Sequence, residues 1–141
     1  MEFQLSYFIS GCLYLLCLTV FNSSVSGTGD FSVISVEDFD KIDVRVGTVV
    51  DACINKKAKK PAYKVKIDFG DEIGIRTSSA QITALYSPEN LVGRQVICCV
   101  NLSPIHIGDV RSDVRILGTD SEQGVVLLMP AEPVRNGDKV F

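Results

Sequence analysis

Ala62-Tyr63-Lys64-Val65-Lys66-Ile67-Asp68-Phe69 alternates without a break. Tyr63, Val65, Ile67 and Phe69 fall on one side, and Lys64, Lys66 and Asp68 on the other. A strand sends successive side chains to opposite faces, so this pattern puts one face in a core and the other in water. Gly70-Asp71 follows as a turn signal. Residues 72–79 then read as the returning strand, with Ile73 and Ile75 turned inward. The stretch predicts an antiparallel hairpin with an apolar inner face and a basic outer face.

Working outward, Ser35-Val36-Glu37-Asp38 looks like a capped helix start, and the helix ends near Lys41. Residues 42–50 alternate as a first strand, with Ile42, Val44, Val46 and Val50 on one face and Asp43, Arg45 and Gly47 on the other. Gly47 marks a bend where a barrel strand curls. A basic loop spans residues 55–61. After the hairpin, residues 80–86 read as a short helix capped by Ser78 or Ser79. Pro88-Glu89-Asn90 reads as a turn, and residues 94–102 as a nearly all-apolar strand buried on both faces. Residues 110–117 and 124–129 are further strands, and Asn136-Gly137 is a tight turn before a short last strand. The result is a mostly β chain without internal repeats. Five or six short strands with one small helix between the third and fourth predict the OB fold, a five-stranded Greek-key barrel.

The 141 residues suit one domain. Hydrophobic residues make up 46% and charged residues 22%, as in ordinary globular proteins. The 14 basic and 17 acidic residues leave a net charge of -3. A strong polyelectrolyte binder carries a basic excess, so nucleic-acid binding must come from a local patch. Cys12, Cys17, Cys53, Cys98 and Cys99 are odd in number and lack CxxC spacing. That argues against a disulfide framework and for a reducing, cytoplasmic setting.

Residues 1–32 differ from the rest. Residues 7–21 form an apolar run, followed by small polar residues at 22–29. A secretory signal has this order, but no Lys or Arg precedes the run. The run is also shorter than the roughly 20 residues that span a bilayer. Three readings stay open: a signal or anchor, a helix packed on the domain or a partner, and a start site set too early. Membrane contact or secretion is expected only if the segment is a genuine signal or a retained anchor.

Residues 38–47, 60–70 and 72–83 carry a resemblance. Asp38-Phe39-Asp40-Lys41-Ile42-Asp43-Val44-Arg45-Val46-Gly47 resembles the opening of the tRNA-binding domain family. Lys60-Pro61-Ala62-Tyr63 through Gly70, and Glu72-Ile73-Gly74-Ile75-Arg76-Thr77-Ser78-Ser79-Ala80-Gln81-Ile82-Thr83, resemble its CsaA-type subgroup of stand-alone homodimers described as protein-export chaperones. The resemblance covers residues 33–141. It implies an OB-fold dimer with a groove for tRNA or for extended polypeptide. One loop departs from the family pattern. Asn101, Pro104, Arg111, Ser112 and Asp113 fit, but Ile105 and His106 stand where basic residues are usual. Asp109 and Val110 replace a Gly and a Phe. Positive charge and an aromatic platform are thereby removed from the implied groove.

Lys56, Lys57, Lys59 and Lys60 are the clearest candidate binding residues. Four ammonium groups on one loop can track a phosphate backbone, with salt-dependent affinity. The same run also fits a solvated loop that keeps a barrel edge soluble. Lys64 and Lys66 extend the patch along the outer strand face, and Arg76, Ser78, Ser79, Asn101, Arg111 and Ser112 complete the candidate set. Ser78 and Ser79 also read as helix caps, and Tyr63 and Phe69 as core rather than base-stacking platforms. Ile105, Ile107 and Val110 would favour a polypeptide. The lone His106 has no nucleophile paired with it, and Cys98-Cys99 point to opposite faces of a strand, so they cannot chelate one ion together. The expectation is a non-catalytic binding protein without metal or cofactor. Its partner is tRNA or other RNA or, alternatively, unfolded polypeptide.

Overall fold

A computed structural model describes residues 31–141, so the expected N-terminal extension lies outside the described residues except at its last two positions. Ser35–Phe141 forms one compact unit. Among the described residues no helix is long and apolar enough to cross a membrane.

The barrel is organised around one long strand, β1 (Val44–Ile54). Its second half pairs antiparallel with β2 (Tyr63–Asp68), which pairs in turn with β3 (Ile75–Ala80). Its first half pairs with β4 (Gln95–Cys99). Downstream lie β5 (Ile105–Ile107), β6 (Val110–Ser112), β7 (Arg115–Ile116), β8 (Gly118–Thr119), β9 (Val126–Leu127) and β10 (Lys139–Val140). The main sheet has the order β3-β2-β1-β4-β7, with β10 beside the start of β1. The Asp113 N–H donates to the Thr77 carbonyl over 2.7 Å, and the Ser79 N–H to Ser112 Oγ over 3.1 Å. These bonds tie β3 to the β6–β7 connection and nearly close the barrel, with few helical residues.

The decisive hairpin forms as its alternation requires. Val65, Ile67 and Phe69 are fully buried and Tyr63 nearly so, while Lys66 on the opposite face is exposed. Full burial of such a side chain contributes roughly 1.5–3 kcal/mol. Val49, Ile82, Leu91, Val96, Cys98, Val114 and Leu127 complete the core.

Several local expectations are corrected. In β1 the register shifts between Val49 and Asp51. Ahead of the shift Val49 pairs with the inward Ile67 and shares the inner face with Gly47, so Val49 lies in the core and Val50, at the shift itself, is exposed. Gly47 faces inward: a Cβ there would sit 2.6 Å from Ile67 Cγ2 and 2.8 Å from the Phe69 ring. The barrel needs glycine at this point for space rather than for flexibility. Ile75 is exposed because it pairs with Asp68 on the outer face, whereas Ser78, opposite Val65, takes the inner one. Ile73 does pack against the core.

The helix expected over residues 80–86 is not formed, because Ser79 and Ala80 are still paired with Lys64 and Tyr63. Neither Ser78 nor Ser79 is therefore a cap. The other helix, α1 (Val36–Asp40), has the expected Ser35 cap, whose hydroxyl accepts from the Asp38 N–H over 3.1 Å. The helix between the third and fourth strands is α2 (Pro88–Leu91), at the stretch read as a turn. Ser87 accepts from the Asn90 N–H, and the Asn90 side chain accepts in return from the Ser87 N–H. This reciprocal box, with Pro88 in the first turn, starts the helix. The strand expected over residues 110–117 is divided into β6 and β7 by a bend at Val114. Ahead of it the unforeseen β5 folds back through Gly108, which adopts a φ of +66°.

Candidate nucleic-acid interface

The outer face of the β1–β2–β3 sheet is set by register. Lys64 lies between Cys53 and Ser79, and Lys66 between Asp51 and Thr77. Lys66 Nζ is 3.6 Å from Asp51 Oδ2. Lys64 has no carboxylate within 4.0 Å among the described residues. At one end of this face β1 runs into the basic loop. The Asn55 N–H donates to the Ala62 carbonyl and the Ala58 N–H to the Asn55 carbonyl, so the loop is a tight turn with its lysines outside. Lys56, Lys57, Lys59 and Lys60 are all exposed. Lys57 Nζ lies 3.5 Å from Asp109 Oδ2. Lys56, Lys59 and Lys60 have no such partner among the described residues. Exposed pairs of this kind contribute at most about 1 kcal/mol, so a polyanion can displace them.

The β5–β6 hairpin stands beside the loop. Asn55 Nδ2 donates to the Ile107 carbonyl over 2.9 Å and to Ser79 Oγ over 3.1 Å. An open groove of about 1100 Å³ runs under the hairpin between the end of β3 and residues 112–120. Its wall mixes apolar side chains (Leu102, Ile105, Ile107, Leu117) with Ser79 and Arg115. Leu102 and Ile105 are exposed, whereas Val110 is buried and belongs to the core side of the hairpin rather than to the groove.

Six of the candidates lie on consecutive elements: Lys56, Lys57, Lys59 and Lys60 on the exposed loop, and Lys64 and Lys66 on the outer face of β2, the strand that follows it. Ser79 borders both the face and the groove. The others are placed elsewhere or are occupied. Arg76 is opposite Ile67, so the pleat sends it to the other face of β3 from Thr77 and Ser79. Ser78 and Ser112 are buried, and Ser112 Oγ accepts from the Ser79 N–H and donates to the Val114 carbonyl. Asn101 braces the chain ahead of β1: Oδ1 accepts from the Asp43 N–H over 2.9 Å, and Nδ2 donates to the Lys41 carbonyl over 2.7 Å. Arg111 is exposed on the hairpin opposite His106 and lies 3.0 Å from Asp113.

Aromatic platforms are scarce near the lysines. Tyr63 and Phe69 are in the core. The Tyr86 hydroxyl accepts from the Leu127 N–H, and Arg94 stands over its ring at 5.7 Å. Cys98 and Cys99 are buried free thiols. Burial above all, then the neighbouring Cys99, pushes the Cys98 thiol up to about 12. Among the described residues no three metal-binding side chains converge.

The family described as "Putative tRNA binding domain" matches residues 44–139, the whole barrel from β1 into β10. The chain belongs to the tRNA-binding domain family. Within that family it is similar to the chaperone CsaA of Picrophilus torridus, at 44% identity and a TM-score of 0.74, covering 77% of this chain and all of that one. The chaperone CsaA of Bacillus anthracis str. Ames is 41% identical with a TM-score of 0.73, over 78% of this chain and all of that one. The methionine–tRNA ligase of Pyrococcus furiosus is 39% identical over 114 residues, which is 81% of this chain but 15% of the ligase. The tRNA-binding domain of this chain thus corresponds to a small part of that enzyme.

Two site features escaped the sequence. Asn55 reads as an ordinary loop residue, yet it is 5% exposed and bonded to two distant segments. β5 was hidden because Ile105-His106-Ile107 is three residues long, too short for periodicity to register. Gly108 was the available signal, since a glycine between two short apolar–polar runs is a hairpin cue.

Proposed function

We propose that this domain is a non-catalytic tRNA-binding module whose contact surface is the lysine loop and the outer face of β2. The observation that carries the reading is the joining of six lysines, four of them on one exposed loop, to one face of a tRNA-binding-family barrel. A net charge of -3 does not oppose this, because six of the 14 Lys and Arg residues fall between positions 56 and 66, on the loop and on β2. Contact is made with phosphates and tracks the backbone, since among the described residues the face offers no exposed aromatic ring for base stacking. The test is the Lys56→Gln, Lys57→Gln, Lys59→Gln, Lys60→Gln quadruple variant. Its tRNA affinity falls at least about tenfold at low salt while its melting temperature stays unchanged. Unchanged affinity removes the loop from the site.

A second reading is favoured by one specific observation: Leu102 and Ile105 stand exposed at a partly apolar groove. In that reading the groove grips extended polypeptide. An Ile105→Ser variant then loses suppression of aggregation of an unfolded client and keeps its tRNA affinity.

The protein works as a homodimer in our reading. The support is α1, which buries none of its residues while Val36, Phe39 and the following Ile42 stand exposed. A five-residue helix gains too little from its own hydrogen bonds to persist without packing. A second copy over this face supplies it, and Phe39→Asp yields a monomer by light scattering.

A further inference from the structure

Asn55 is the one buried polar side chain on the lysine loop, and its cost is visible. Its Oδ1 is buried and has no hydrogen-bond partner among the described residues. A primary amide left half-satisfied carries a desolvation penalty that an apolar side chain would avoid. The compensation lies in what its Nδ2 joins. One amide group links the start of the lysine loop to the end of β3, through Ser79 Oγ, and to the β5–β6 hairpin, through the Ile107 carbonyl.

Three other contacts act at the same junction. The Gly108 backbone passes so close to Lys57 that a Cβ would lie 2.7 Å from the Lys57 carbonyl carbon. Lys57 and Asp109 form the ion pair across the same gap. Ser79 is itself bonded to Ser112 at the base of the hairpin. The hairpin depends on such ties. It has three residue pairs and forms a two-stranded sheet of its own, separate from the barrel ladder. An isolated two-stranded ribbon is marginally stable at best.

We propose that Asn55 is the positioning residue that holds the lysine loop against the β5–β6 hairpin, so that the loop and the hairpin-covered groove present one fixed ligand surface. Asn55 acts through Lys57 and the hairpin and does not itself touch the ligand. The functional half of this inference rests on the tRNA-binding reading, and the structural half does not.

The test uses the full chain and two variants that reach the junction independently. Asn55→Ala removes the amide. Gly108→Ala forces the loop and hairpin apart by the close approach and by its unfavourable positive φ, without altering any charge. Amide hydrogen exchange and tRNA titration at several salt concentrations are read on both. The expected result is exchange about tenfold faster at residues 105–112, the equivalent of one or two broken hydrogen bonds, with the barrel strands unchanged. tRNA affinity falls several-fold, and the log–log salt slope becomes shallower by about 0.7 for every phosphate that is no longer engaged. Wild-type exchange in the hairpin of both variants overturns the proposal. A loosened hairpin with unchanged affinity and slope also overturns it, by reducing Asn55 to a structural residue. If one variant fails to fold, the other decides. If the wild-type chain retains no tRNA at any salt, the tRNA reading fails, and the exchange measurement still decides whether Asn55 couples loop to hairpin.

Discussion

The inner and outer faces of β2 lie on the same six residues and are held by different physics. On the inner face Tyr63, Val65 and Ile67, continued by Phe69, are packed among β1, β4 and α2, and their positions are fixed by excluded volume. On the outer face Lys64 and Lys66 meet water, a weak carboxylate partner and the lysine loop, and nothing in the core depends on them. The contrast teaches that stability and the proposed ligand contact are separable in this barrel, although one alternating run of sequence encodes both faces. Outer-face substitutions should leave stability unchanged, whereas inner-face substitutions should lower it.

The strongest way to break the comparison is Phe69→Ala. Phe69 is fully buried and packs against Gly47, so its loss should cost about 3–5 kcal/mol in urea unfolding. Binding is then lost together with the fold. A cost under about 1 kcal/mol would mean that the inner face is not the core. The complementary change is Lys64→Gln with Lys66→Gln. It leaves the unfolding midpoint in place and makes the salt slope of tRNA binding shallower by about 1.4, two phosphates at roughly 0.7 each. A changed midpoint with an unchanged slope would reverse the assignment of the two faces.

A smaller effect sharpens the picture of the core. The Cys98 thiol is raised from 9.0 to about 12 because burial penalises the thiolate. A group whose folded pKa is raised stabilises fully below its unfolded pKa and loses that contribution as pH rises towards the folded value. Stability should therefore decline between about pH 9 and pH 12, and Cys98→Ala should flatten that decline. At neutral pH a thiol reagent should modify the exposed Cys53 and spare Cys98. Equal labelling of the two in the native protein would contradict the burial.

Legibility in the sequence followed the length and regularity of each element. The β2 alternation was readable because four inward residues in a row leave no other period. The Ser35 cap and the Asn136-Gly137 turn were readable because each is a local signal. β1 misled because the inward position between Val46 and Thr48 is held by Gly47, whose missing side chain gives no apolar signal, so the apolar residues on the other parity read as the core face. The helix between the third and fourth strands was displaced to Pro88–Leu91 because pairing with β2 holds Ser79 and Ala80 extended against their helical reading. The candidate site was legible only as exposed charge: Lys56, Lys57, Lys59 and Lys60 stand on an exposed loop, as a run of lysines suggests. It was not legible as architecture. Arg76 falls on the opposite face, Ser78 and Ser112 are buried, and Asn55 acquires its role from Ile107, 52 residues away.

The central claim is that the lysine loop and the outer face of β2 bind an RNA backbone. Titration of the chain with bulk tRNA at two salt concentrations tests it most directly. With one phosphate contact on flexible strands for each of the six lysines the log–log slope is about -4, so a fourfold rise in salt weakens binding roughly 300-fold. Micromolar affinity at low salt with that slope is the predicted result. No binding at low salt, or binding indifferent to salt, would contradict the claim and leave the groove under the β5–β6 hairpin as the working surface of the protein.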